Sequence, residues 1–204
     1  MTLDDEQIER YSRQVILAEV GPRGQERLGS ARVAVVGDGV AAGRVVAYLG
    51  AAGVGWIAAP AALHAVTDPA QPDLTLASLL DAEAGRLDAV IINTRLVPEA
   101  ADDALTWAPR ATSTFWIADG HAGGVPPCPT CAAAVAPTTT VLAELATLRD
   151  ALLGTVIATE VVKALLAIGT PLAGRVLAYD PETATITNVA AVAHPNCACQ
   201  RSKR

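Results

Sequence analysis

Apolar and polar positions alternate along this chain in blocks of two kinds. Short β-branched runs bounded by glycine or an acidic residue predict buried strands, and longer Ala/Leu-rich stretches predict helices. Residues 4–29 are charged and amphipathic and predict a helical arm ahead of the core. The run from Ala31 to Val36 predicts a first strand ending at Gly37. Val40 to Ala52 predicts a helix closed by Gly53. Val54 to Ala59 predicts a second strand, Pro60 to Gln71 an irregular segment, and Leu74 to Leu87 a helix. The run from Asp88 to Asn93 predicts a third strand, Ala100 to Trp107 a weak helix, and Thr114 to Ala118 another strand. A Gly/Pro loop is expected over His121 to Pro127. Val141 to Ile168 predicts two helical pieces broken at Gly154, and Gly174 to Tyr179 with Thr185 to Val192 predict an antiparallel hairpin.

The order strand, helix, strand, helix, strand predicts a parallel, doubly wound start, and the closing hairpin makes the sheet mixed. The expected fold is α/β, a Rossmann-like mixed sheet flanked by helices. It is read as one domain over 1–204, with the arm at 1–29 and helices, hairpin and paired cysteines at 128–204. With 51% apolar residues but only 3% aromatic, the core has to be built from Ala, Val, Leu and Ile.

Charge narrows the partners. The formal net charge is −6 and dispersed, which argues against nucleic acid. The basic end, Arg201-Ser202-Lys203-Arg204, reads as a solvated terminus. Met1 to Glu9 is acidic and polar, unlike a signal peptide, and no apolar run reaches the roughly 18–20 residues of a membrane span. The chain therefore reads as cytoplasmic, where thiols stay reduced.

The first strand and helix meet in Gly37-Asp38-Gly39-Val40-Ala41-Ala42, a G-x-G-x-x-A turn. Small residues there let a backbone approach a phosphate, at a helix end that offers N–H groups and partial positive charge. Gly37, Gly39 and Ala42 are accordingly the candidate cofactor contacts. Against this, Asp38 puts a carboxylate inside the loop, and Trp56-Ile57-Ala58-Ala59-Pro60 offers no acid to hold a ribose. A tight turn that merely needs glycine is the competing reading.

Cys128-x-x-Cys131 and Cys197-x-Cys199 are the four cysteines of the chain. In a reduced compartment, metal binding is the first explanation for paired cysteines; a redox-sensitive disulfide and free thiols are the others. All four are candidate ligands of one structural zinc ion, with His194 or His121 able to replace one thiolate. Otherwise the two histidines read as surface or ligand-supporting groups. Glu160 and Lys163 are spaced for an intrahelical ion pair or a dimer contact.

Several motifs together resemble the ThiF/MoeB/HesA family, bacterial relatives of ubiquitin-activating enzymes. Arg10-Tyr11-Ser12-Arg13-Gln14, Gly21, Gly24-Gln25 and Leu28 are similar to its R-Y-x-R-Q…G…G-Q…L start. The glycine loop and Tyr48 to Gly55 continue the likeness. Ala158-Thr159-Glu160-Val161-Val162-Lys163, Gly169-Thr170-Pro171-Leu172, Gly174-Arg175 and Tyr179-Asp180 carry it most fully. The resemblance implies adenylation of the C-terminal carboxylate of a small ubiquitin-like or sulfur-carrier protein with MgATP. It also implies homodimers, Arg13 reaching a partner's nucleotide site, and a structural zinc between C-x-x-C pairs.

The departures are as pointed. The D-x-D pair, the N-L-x-R-Q segment and the lysine that the family places after its second strand cannot be found. Lys163 and Lys203 are the only lysines. Arg95 stands where the family's metal-binding aspartate is expected, and an arginine cannot ligate Mg²⁺. Cys197-x-Cys199 is one residue tighter than the family pair. No catalytic residue is assigned. The expectation is a ThiF/MoeB-like protein without autonomous adenylation, a partner or scaffold for a carrier protein or peptide. The alternatives are an active adenylyltransferase and a dinucleotide-binding oxidoreductase.

Overall fold

A computed structural model describes residues 3–67, 71–83, 85–94, 111–136, 142–195 and 197. The arm forms α1 (Asp5–Arg10), α2 (Ser12–Val15) and α3 (Gly21–Ser30). Asp4 starts α1 through a reciprocal cap: its carboxylate accepts the Gln7 N–H at 2.8 Å, and the Gln7 side chain accepts the Asp4 N–H at 3.2 Å. Asp73 then pins the arm to the core. It accepts from Gln7 Nε2 at 2.9 Å, from the Tyr11 hydroxyl at 3.1 Å, and from Arg10.

The strands form one eight-stranded sheet in the order β3-β2-β1-β4-β5-β6-β7-β8. They are β1 (Arg32–Val36), β2 (Trp56–Ala58), β3 (Thr75–Ala77), β4 (Leu87–Thr94), β5 (Ala111–Ala118), β6 (His121–Gly124), β7 (Arg175–Asp180) and β8 (Thr185–Ala190). β3 through β5 are parallel, and β6, β7 and β8 add on antiparallel. The parallel start and the closing hairpin of the sequence reading are both present.

Alternation along the parallel strands divides the core. Val33, Val35, Ile91 and Ile117 face α4 (Gly39–Ala51) and the last long helix, packing on Val45, Val46, Leu49, Leu153, Ile157 and Val161. Ala34, Val90, Ile92, Trp116 and Val176 face the other way, against Ala82 of α5 (Leu79–Glu83) and Ala132 of α6 (Pro129–Ala133). Trp116 of that layer is fully buried and donates its indole N–H to Pro127 O at 3.0 Å.

Five local expectations need correcting or lie out of reach. The stretch 74–87 is not one helix: it holds the parallel edge strand β3, then α5, started by Ser78, whose hydroxyl donates to Asp81 at 2.7 Å. The segment after Pro60 contains a 3₁₀ helix, Ala61–Val66. The Gly/Pro loop begins with β6, a buried strand between β5 and β7. The expected break at Gly154 is absent, since α7 (Ala143–Leu166) runs unbroken for 24 residues. Gly154 sits where α7 crosses α4, and a Cβ there would run into Ala41 O and stand 2.9 Å from the Cβ of Arg44. The glycine serves close helix contact rather than a break. The weak helix expected over 100–107 lies outside the described residues. Among the described residues no helix is long and apolar enough to cross a membrane.

Candidate functional site

The glycine loop lies at the C-terminal ends of β1 and β4. β1 is flanked by β2 on one side and by β4 on the other, so the chain's winding reverses there. In open α/β sheets this is the crevice where ligands sit. Gly37 and Gly39 have φ of +93° and +89°, and a Cβ on Gly37 would run into the carbonyl oxygen of Asn93 at the end of β4. Asn93 Nδ2 in turn donates to Asp38 O. The loop is thus clamped against β4 whatever it binds. Asp38 precedes α4 without making a side-chain cap, so its carboxylate leaves the first N–H groups of that helix to other acceptors. Ala42 is fully buried, in contact with the core. Arg13 is exposed on α2 and is not part of the crevice lining.

Two chambers open over this loop, with Asp38, Gly39 and Val40 as their common wall. The polar chamber, about 450 Å³, is also lined by Asn93, Asp119, Gly120, Arg149 and Asp150. The apolar one, about 700 Å³, lies between α4 and the 3₁₀ helix, against Gly43, Ala47, Ala62, Leu63 and Val66, with Arg44 at its edge. The polar chamber holds three carboxylates, Asp38, Asp119 and Asp150, against one guanidinium. That guanidinium, of Arg149, is paired with Asp150 at 2.9 Å. Among the described residues this chamber therefore offers a phosphate one cationic side chain, already paired, beside three carboxylates. Arg95 lies outside the described residues.

Asn93, Asp119, Arg149 and Asp150 were not singled out as site residues by sequence reasoning. Only Asp119-Gly120 left a signal: it is a D-G turn closing a buried strand, and Asp119 has φ +45°. Arg149 and Asp150 look like ordinary surface charges of α7 until the fold brings that helix over the loop.

The second cluster is sulfur. The Sγ atoms of Cys128, Cys131 and Cys197 lie within 4.8 Å of one another, and the described residues contain no other such group of possible ligands. Cys128 and Cys131 flank the start of α6 and are buried, while Cys197 is partly buried. Cys131 Sγ accepts the backbone N–H of His194 at 3.3 Å. Burial pushes the Cys131 thiol up to about 11. The His194 N–H opposes the shift, and the neighbouring sulfurs of Cys197 and Cys128 add to it. Three converging sulfurs, one of them already receiving an N–H bond, are a donor set that fits a soft divalent cation. Three close cysteines could hold a metal; Cys199 lies outside the described residues. His121 is buried on β6 with Nδ1 at 3.0 Å from Asp119 O, next to the crevice rather than in the sulfur cluster.

Elsewhere, Lys163 Nζ bonds Glu160 at 2.6 Å and Thr170 O at 2.7 Å. This is the intrahelical pair that the spacing allowed, with a tether to the loop after α7.

No family model matches the chain. Against curated proteins it is 29% identical to the sulfur carrier protein adenylyltransferase of Thermus thermophilus, over 94% of this chain and 90% of that protein. That alignment runs over 244 positions and this chain has 204 residues, so at least 40 positions of the relative have no counterpart here. A shorter stretch of 55 residues is 53% identical to the SAMP-activating enzyme E1 of Haloferax volcanii, but spans only 20% of that protein. Among solved structures, that of PaaA matches with a TM-score of 0.69 at 14% identity, covering 92% of this chain and 84% of the other. E. coli MccB bound to a MccA derivative matches at 0.67 and 13%, covering 93% and 74%. At such identities the structures establish the fold.

Proposed function

We propose that this chain, a ThiF/MoeB-type protein of the E1-like fold, no longer adenylates on its own and serves as a binding partner for a small carrier protein or peptide. Its relatives by sequence are adenylyltransferases of sulfur carriers, and one structural relative carries a peptide, MccA. The observation that carries the reading is the charge of the polar chamber: Asp38, Asp119 and Asp150 surround an arginine already paired with Asp150. Among the described residues no lysine lines the chamber, and Lys163 is engaged on α7. The crevice instead suits an uncharged polar or extended peptide segment entering over Gly37 to Val40, with apolar side chains taken by the larger chamber.

The sulfur cluster is read as a structural zinc site, Cys128, Cys131 and Cys197 supplying three thiolates and leaving no position for a substrate once a fourth protein ligand is added. Zinc there would fasten the end of the described chain to the core. Homodimerisation is expected from the resemblance.

The deciding experiment is ATP–pyrophosphate exchange by the purified protein, alone and with a sulfur-carrier protein ending in Gly-Gly. We expect background exchange in both. Robust exchange by this protein would overturn the reading in favour of an active adenylyltransferase, the alternative that the extent of the Thermus alignment favours.

A further inference from the structure

We propose that the outer edge of β8 is an interface between two copies of this chain, which pair antiparallel about a twofold axis at Asn188. The two ends of the sheet are built differently. At one end β3 has three residues, Thr75–Ala77; at the other β8 has six. Sheet edges of proteins that stay apart are blunted by shortness, by charged side chains, by proline or by a bulge. β3 is short. β8 has none of these devices: Thr185-Ile186-Thr187-Asn188-Val189-Ala190 contains no proline and no charge, and its register with β7 runs unbroken over six pairs. Among the described residues no strand pairs with its outer side. Ile186 is 53% exposed, and Asn188 and Ala190 are exposed as well.

The ladder fixes which backbone groups this edge presents. Just beyond β8 the Ala191 N–H donates inward to Gly174 O at 2.9 Å, one step past the pair Arg175↔Ala190. In an antiparallel pair successive residues turn their N–H and C=O alternately towards and away from the partner strand. Ala190, Asn188 and Ile186 therefore turn theirs outward. Their side chains share one face, that of Leu177 and Tyr179 opposite them on β7.

A second copy fits this edge. The outward residues are spaced evenly about Asn188, so a twofold there sets Asn188 opposite the partner's Asn188 and Ile186 opposite the partner's Ala190. Every outward N–H and C=O of both strands then has an acceptor or donor. The bulkiest exposed side chain of the strand meets the smallest, an amide meets an amide, and no like charges are opposed. A shifted register would leave the outward groups of Ile186 or Ala190 facing residues outside β8. Each copy has one such edge, so the pairing closes as a dimer and does not propagate into a fibre. The proposal is independent of what the crevice binds.

Sedimentation velocity of the full chain over a wide concentration range tests it, with circular dichroism to check that each variant is folded. The unaltered chain should dimerise. Asn188→Pro removes the central donor of each copy, and because that N–H points outward the ladder to β7 keeps its bonds. It should weaken dimerisation by about tenfold or more. Asn188→Asp and Asn188→Lys each set like charges on the axis and should dissociate the dimer, whereas an equimolar mixture of the two should recover it. Arg175 Nε donates to Asn188 Oδ1 at 2.9 Å within each copy, so the aspartate variant is the milder of the pair. The two charge variants keep the test decisive should the proline variant fold poorly. A chain that stays monomeric throughout overturns the proposal. So does a dimer that none of the variants weakens, since it is held by another surface, and so does a mixture no more associated than either variant alone.

Discussion

Replacing Gly154 by alanine should destabilise the protein, although alanine is the better helix former. In the interior of α7 the exchange gains about 1 kcal/mol of intrinsic helix propensity. The new Cβ would run into Ala41 O and stand 2.9 Å from the Cβ of Arg44 and 3.0 Å from the Ala41 carbonyl carbon. Relaxed contacts between carbons lie at roughly 3.5–4.0 Å, so the two helices must part by several tenths of an ångström to 1 Å. Overpacking of that kind costs about 1–3 kcal/mol, and here it falls between the two helices that cover the main core layer. Because the clash is with backbone, the cost lies in the upper part of that range, about 2–3 kcal/mol, and the net expectation is a loss of about 1–2 kcal/mol, or roughly 2–8 °C in Tm for a chain of this size. Urea or thermal unfolding followed by circular dichroism measures it. Gly29→Ala is the control. Gly29 lies in α3 with nothing within 4 Å of an added Cβ, so the same exchange there should gain about 0.4–1 kcal/mol. If Gly154→Ala stabilises as much as Gly29→Ala, the tight crossing of α4 and α7 is wrong.

Other expectations follow from the site and the arm. The Cys131 thiol, at about 11 against an ordinary 9.0, is raised in the fold. The contribution of this thiol to the stability of the metal-free protein is therefore fully present below about pH 9 and is lost as pH rises through about 11; were zinc bound there as thiolates, pH-dependent melting should not show that loss. Asp73 is held below the usual carboxylate range. Desolvation pushes it up, but the hydrogen bonds from Gln7 and Tyr11 and the charge of Arg10 outweigh that. Its contribution should be full above about pH 4 and lost as pH falls below that; Asp73→Asn should cost about 1–2 kcal/mol near neutral pH and remove this acid-dependent part of the unfolding curve. Asn93→Ala removes the bond to Asp38 O and should cost about 1 kcal/mol, with faster hydrogen exchange of the loop amides at Gly39 and Val40 as a local readout. Calorimetry with ATP should give no binding heat at millimolar Mg²⁺; binding tighter than about 100 μM would contradict the charge argument for the polar chamber.

Much of the architecture was readable because two simple periods carry it. The β-branched run before Gly37 and the run from Asp88 to Asn93 read as buried strands, and the Asp180-Pro181-Glu182-Thr183 turn between the last two β-prone runs announced the hairpin. What escaped was structure whose cause lies in a distant neighbour. β6 is a strand because β5 and β7 pair with it on both sides, while its own sequence, His-Ala-Gly-Gly, favours a loop. Gly154 looked like a helix breaker because its reason, Ala41, lies on another helix. β3 is three residues long, too short to show a period, and the adjoining α5 lent it a helical look. The site divided in the same way. Gly37 and Gly39 stood out as a loop motif, and all four cysteines as candidate ligands, of which Cys128, Cys131 and Cys197 lie together. Asn93, Arg149 and Asp150 are brought to the loop from remote parts of the sequence, and nothing in their local context distinguishes them.

The wall common to the two chambers has a consequence for any molecule that enters them. Asp38, Gly39 and Val40 face both spaces, and they are one short stretch of backbone fixed at Asn93 and at the start of α4. An occupant of one chamber that draws this stretch towards itself reshapes the other. The effect must be mutual: whatever factor a first guest imposes on the affinity of a second, the second imposes on the first. Only a guest able to strain the clamp at Asn93 would couple the two compartments, and the contents of one would then set the terms for the other.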